Sequence, residues 1–185
     1  WRTESQWLWR LSKKHGSNGV LGDIGVHILD FAAYGAGSDF SKVFCRLETF
    51  DKAENNQIGE YDLDANDSFA MTAQLENGAL GVIHATRWAT GHFNELRLRV
   101  YGELGSVEIQ HRHDWSKLFT CLGDDAETGT WTEVAVDAVP TNYMRFADAV
   151  KAGKTLEPSF RHAANIQKVL DLATVTDRDR MEHAV

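Results

Sequence analysis

The sequence holds only two cysteines, Cys45 and Cys121, and they stand apart in no paired pattern. That excludes a disulfide framework or a cysteine-based zinc site, and it leans toward a reducing, intracellular setting, so a cytoplasmic protein is expected. No stretch reaches the ~18 consecutive apolar residues of a membrane span. Positive charge is scarce: 19 Lys and Arg face 27 Asp and Glu, a formal net charge of -8. A nucleic-acid backbone is therefore not an expected partner.

Nucleotide loops are lacking as well. Gly16, Gly19, Gly22 and Gly25 recur every three residues. No apolar strand precedes them, their spacing is not Gly-x-Gly-x-x-Gly, and no Gly-Lys-Ser/Thr closes the run. These glycines are expected to permit tight turns and close backbone approach beneath a substrate. The acidic stretch 51–64 lacks the spacing of a calcium loop and reads as a solvated loop. His111 and His113 share a strand face, but no third ligand is spaced to join them, so no metal site is assigned.

What remains is an ordinary globular composition of 185 residues, 43% hydrophobic and 25% charged, long enough for a sizeable core. One domain spanning 1–185 is expected, with no repeats and no linker. The chain opens at Trp1 without methionine or a secretory signal pattern, which reads as a fragment of a longer protein. Trp1, Trp7, Leu8, Trp9 and Leu11 suggest a short helix or irregular segment packing its tryptophans on the domain. Lys13 and Lys14 read as a solvated basic face.

The densest chemistry lies in Gly22-Asp-Ile-Gly-Val-His-Ile-Leu-Asp30. From Asp23 the pattern predicts a helix to the Gly35/Gly37 stop, buried nearly all round, with Asp23, His27 and Asp30 in one stripe. Such a stripe needs partners or faces a pocket. Plainer roles stay open: Asp23 as an N-cap, His27 as a core histidine bonded to a carbonyl, Asp30 reaching solvent.

Downstream, alternation predicts strands at 42–50, 67–76, 79–88, 93–102, 106–110, 116–122 and 130–136. Glu76-Asn77-Gly78 marks a hairpin between two of them. Consecutive hairpins need no crossover helix, so a large, mainly antiparallel sheet follows. Arg87, Trp88, His92 and Asn94 flank a turn from which directional donors and a flat aromatic face can project toward a sugar. After Pro140, Tyr143, Phe146, Ala147 and Val150 mark one helix face, ending near Gly153. Glu157-Pro158-Ser159 starts a second helix to about Asp177, with Ala163, Ile166, Val169, Leu170 and Ala173 as its buried stripe.

The Asp-x-Gly-x-His segment, the Thr-Arg-x-Ala-x-Gly-His-x-Asn hairpin and the closing Phe-Ala-x-Ala-Val-x-x-Gly and Pro-Ser-Phe pair resemble the C-terminal domain of the glucose–fructose oxidoreductase, inositol dehydrogenase and MocA superfamily. The resemblance covers essentially the whole chain but only that family's C-terminal half. It implies an α+β fold, a large mainly antiparallel sheet with helices on one face, of the dihydrodipicolinate-reductase-like kind. It implies the substrate-binding and catalytic domain of an NAD(P)-dependent oxidoreductase for a sugar, polyol or related compound. His27 would then be the acid/base, Asp23 its positioning partner or a substrate contact, and Trp9, Arg87, His92 and Asn94 substrate contacts. NAD or NADP would be bound mainly by an N-terminal dinucleotide domain absent from this chain, leaving these residues alone inactive. Homo-oligomerisation through the open sheet face is also implied. Two other readings stand beside it: a non-catalytic sugar-binding or oligomerisation module, and a glycosidase that uses NAD transiently.

Overall fold

A computed structural model describes residues 3–185, and Trp1 lies outside them. The polypeptide divides into two compact units: one runs to Gly91 and resumes over Asn165–Val185, the other is His92–Ala164. Every strand pairing is antiparallel. The strands expected in one extended sheet are divided between two four-stranded sheets and a small ribbon.

In the first unit the sheet runs β10 (His183–Ala184), β1 (Phe40–Glu48), β4 (Ser68–Leu75), β5 (Leu80–Thr86). Alternation decides its two faces. Val43, Ala73 and Gly81 are aligned across the three longer strands, as are Cys45, Met71 and Ile83, then Leu47, Phe69 and Ala85. These rows meet Leu29 and Ala33 of α1 (Val26–Ala36) and Ile166, Val169, Leu170 and Ala173 of α4 (Phe160–Asp179) in one apolar core. The α4 stripe is the one read from the sequence, apart from Ala163, which is exposed. β10 pairs only with Lys42 and Val43. Beyond it α4 satisfies β1: Cys45 N–H donates to Thr176 Oγ1 (2.9 Å) and Leu47 N–H to Asp177 Oδ1 (3.0 Å), closing what would be an open edge. Among the described residues, the opposite face is uncovered. It aligns Phe44, Thr72 and Val82, and Arg46, Ala70 and His84.

Two local expectations for this unit are corrected. The helix does not begin at Asp23; a wide π-type turn, Leu21–Gly25, precedes α1, and Asp23 lies inside it and caps nothing. The turn is anchored from elsewhere, because Leu21 N–H donates to the buried Asn66 Oδ1 (3.0 Å). Nor is α1 buried all round: Leu29 and Ala33 are buried, but His27 and Tyr34 are exposed. Its high overall apolarity exceeds what the sheet can cover. The 51–64 loop holds a 3₁₀ turn and a two-stranded ribbon, β2 (Gln57–Ile58) with β3 (Tyr61–Asp62). Leu63 beside it packs with Leu8 and Leu11 of the N-terminal 3₁₀ segment Ser5–Leu11 as a small satellite core.

The second unit is a meander of β6 (Leu96–Gly102), β7 (Gly105–His111), β8 (Ser116–Leu122) and β9 (Thr132–Val134). A short helix, α2 (Asp124–Thr128), joins β8 and β9. One sheet face is held by charge. Glu108 accepts from Arg99 Nε (2.5 Å) and Gln110 Nε2 (2.6 Å), and Arg97 Nε lies at 3.6 Å. Burial pushes the Glu108 carboxyl up, but the Arg99 and Gln110 hydrogen bonds and the two guanidinium charges outweigh it, and the group ends below its ordinary value. The face of α3 (Asn142–Ala152) expected to cover a sheet is instead exposed: Tyr143 is 88%, Phe146 71% and Val150 64% accessible. Helical spacing decides which side chains share a face, not what that face meets. Among the described residues no helix is long and apolar enough to cross a membrane.

Candidate active site

The glycine-rich approach owes its shape to Asn66. The Asn66 carbonyl accepts from Val20 N–H (2.9 Å), and its side-chain Nδ2 donates to the Asn18 carbonyl (2.8 Å). Gly19, at φ +63°, passes so close that a Cβ there would lie 2.3 Å from the Asn66 carbonyl oxygen. A Cβ on Gly25 would lie 3.2 Å from the Phe69 ring. At Gly19 and Gly25 the expected close approach is thus made to the protein's own backbone and core.

This strapping places Asp23 where two arginines meet it. Arg10 Nη1 lies 2.7 Å from Asp23 Oδ1, and Arg87 Nη2 lies 2.9 Å from Asp23 Oδ2. Each carboxylate oxygen therefore serves one guanidinium in a charge-assisted bond. The three side chains are 33%, 11% and 27% accessible for Arg10, Arg87 and Asp23, between bulk solvent and full burial. Arg10 is steadied by aromatic faces, its guanidinium carbon 4.8 Å from the Trp7 ring centroid and 5.1 Å from that of Trp9. Arg87 follows β5 directly, and its N–H donates to the Asp67 carbonyl (2.9 Å).

Asp67 is itself fully buried and paired with Lys52, whose side chain is equally enclosed. The same Asp67 oxygen also accepts from Phe50 N–H (2.9 Å), and Phe50 meets Trp88 edge-on at 5.9 Å. A buried ion pair is thus tied, through the Asp67 carbonyl, to the backbone of the arginine that reaches Asp23.

Four residues after Asp23, His27 is exposed in the first turn of α1, and its side chain makes no hydrogen bond among the described residues. Of the residues singled out from sequence, the structure brings together Asp23, Arg87 and, through Arg10, Trp9. His92 and Asn94 belong to the second unit and are not part of this cluster. There His92 Nδ1 pairs with Glu95 Oε2 (3.0 Å), and Asn94 occupies the left-handed region at φ 50°. Arg10 is the residue that sequence reasoning missed; its one signal was an arginine directly following the tryptophans. Cys45 carries no reactive thiol: burial first, and then the Asp177 charge, push it up to about 12.

Residues 1–108 match the GFO/IDH/MocA C-terminal domain. Levoglucosan dehydrogenase of Pseudarthrobacter phenanthrenivorans is 32% identical over 117 residues, covering 56% of this chain and 30% of that protein. The crystal structure of an oxidoreductase domain protein from Kribbella flavida superposes with a TM-score of 0.80 at 26% identity, covering 96% of this chain and 54% of that one. A structure of levoglucosan dehydrogenase in complex with NADH and levoglucosan gives the same TM-score, 0.80, at 24% identity, covering 96% of this chain and 53% of that one. The chain therefore spans about half the length of these solved structures and under a third of the curated relative. With its π-turn, helix and antiparallel sheets arranged in that fold and its first 108 residues matched, the chain belongs to the GFO/IDH/MocA C-terminal domain family.

Proposed function

We propose that this chain is the substrate-binding and catalytic domain of an NAD(P)-dependent oxidoreductase acting on a sugar, polyol or related compound, with His27 as its acid/base. The observation that carries the proposal is the contrast one helical turn apart. Asp23 has both oxygens engaged by Arg10 and Arg87, whereas the exposed His27 ring has no hydrogen bond among the described residues. Histidine is the side chain suited to exchanging a proton near neutral pH. Membership of the family, and a relative named as a dehydrogenase of the anhydrosugar levoglucosan, support the reaction class and the substrate class.

In this reading the carbinol carbon would give up its hydride to a nicotinamide, were one bound by an N-terminal domain. His27 takes the proton of the same hydroxyl as the carbonyl forms, and returns it in the reverse direction. Asp23 and its two arginines fix the floor beside His27, and Trp9 offers an aromatic face for the apolar side of a sugar ring. The uncovered face of the first sheet, with Phe44 and the 84% accessible Val82, is the proposed contact between copies of the chain.

The test is His27→Ala in the protein carrying its cofactor domain. Turnover should fall by about 100-fold or more, with the unfolding midpoint nearly unchanged because the side chain is exposed. Unchanged turnover would remove His27 from the chemistry.

A further inference from the structure

We propose that the substrate of this site carries a carboxylate, so that the enzyme acts on a sugar acid in preference to the corresponding neutral sugar, with Arg10 and Arg87 as its anchor. The inference rests on the oxidoreductase reading above and names the substrate class of the same site. The arginine cluster is short of negative charge. Two guanidiniums face the single carboxylate of Asp23, and among the described residues no second acidic side chain pairs with either. The nearby Lys52–Asp67 pair balances itself.

The cluster is also short of acceptors. A guanidinium carries about five N–H donors, yet Asp23 engages one nitrogen of each arginine. Among the described residues, Nε of Arg10 and Nε of Arg87 are both buried without a hydrogen-bond partner. Buried donors are ordinarily paired, and a partly buried positive charge ordinarily has its counterion. In a protein of formal net charge -8, an excess cation of this kind is local and built. Trp7 and Trp9 limit the movement of the Arg10 plane, and Arg87 is tied at its backbone to Asp67.

A planar carboxylate matches the guanidinium fork in both shape and charge. It would meet guanidinium nitrogens at the accessible edge that Asp23 leaves unengaged, and it would neutralise the cluster. The carboxylate is a spectator: the carbinol is oxidised and its proton goes to His27, as above, while the acid group keeps its charge.

The experiment uses the protein with its cofactor domain and a panel of matched substrates: aldoses, their polyols and anhydrosugars, the aldonates and uronates of the same configuration, and the corresponding sugar phosphates, read as nicotinamide reduction. The expected result is a kcat/KM about tenfold or more higher for an acid than for its neutral partner, as a charge-assisted anchor predicts. That ratio should fall toward one in Arg10→Gln, and more steeply than in Arg10→Lys, which keeps the charge without the fork. Rising salt should raise KM for the acid more than for the neutral sugar. If neutral sugars are oxidised and no acid is preferred, this inference is overturned while the proposed function stands. A phosphate preferred over every carboxylate also overturns it. If no member of the panel reduces the cofactor, the proposed function fails and the inference falls with it.

Discussion

The two units of this chain are stabilised by different means. The first buries a continuous apolar core drawn from α1, α4 and three strands, with Val43, Cys45, Leu29 and Ala173 wholly inaccessible. The second has almost nothing of the kind. Among its described residues only Cys121 and Ala149 are buried apolar side chains, and its most enclosed polar group is Glu108. Large apolar residues that would make a core elsewhere, Tyr143, Phe146, Val150 and Phe160, stand open. The Asp23 cluster is built entirely on the first unit, where neighbours such as Asn66 and Asp67 cannot move without disturbing packed strands. A charge cluster needs that rigidity, because its energy depends on tenths of an ångström.

Mutations can sharpen the contrast. Lys52→Met should have the largest effect, costing about 3–5 kcal/mol, because it leaves the buried Asp67 carboxylate without its cation. Denaturant titration would measure it, and adding Asp67→Leu should recover much of the loss. An undiminished midpoint in the single variant would show that solvent reaches this pair.

A smaller effect is expected in the second unit. Glu108→Gln should cost about 1–2 kcal/mol at neutral pH, the scale of a lost charge-assisted hydrogen bond. Because folding holds this carboxyl below its ordinary value, its contribution is present above the unfolded value and is lost as pH falls through the folded one. Wild type and variant should therefore converge in acid. A gap that persists or widens there would assign the cost to something other than the carboxylate. Least of all, Phe146→Ser should change the stability of the described fold by less than about 0.5 kcal/mol, since that ring is already 71% accessible. A large loss in thermal melts would mean that the α3 stripe is covered in solution.

How much of this was legible in the sequence follows from the range of each interaction. Strand alternation at 42–50, the Glu76-Asn77-Gly78 turn and the α4 stripe are patterns within a few residues, and the structure reproduces them to within a residue or two. The Asp-x-Gly-x-His phrase was likewise local, and so was its family likeness. The role of Asp23 was not, because Arg10 lies 13 and Arg87 64 residues away along the chain. Nothing in local periodicity says that two arginines will share one carboxylate. The same holds for Gly19, whose tight conformation has its reason in Asn66.

The sequence by itself determined the family, the antiparallel α+β character and the turn of chain on which Asp23 and His27 stand, because each is written in short-range spacing. Only the tertiary structure decided that the strands divide into two sheets, that α1 leaves His27 exposed and α3 its apolar stripe, and that Asp23 is held between two guanidiniums. Those outcomes depend on which distant surfaces meet, and each residue's own neighbours in sequence carry no record of that.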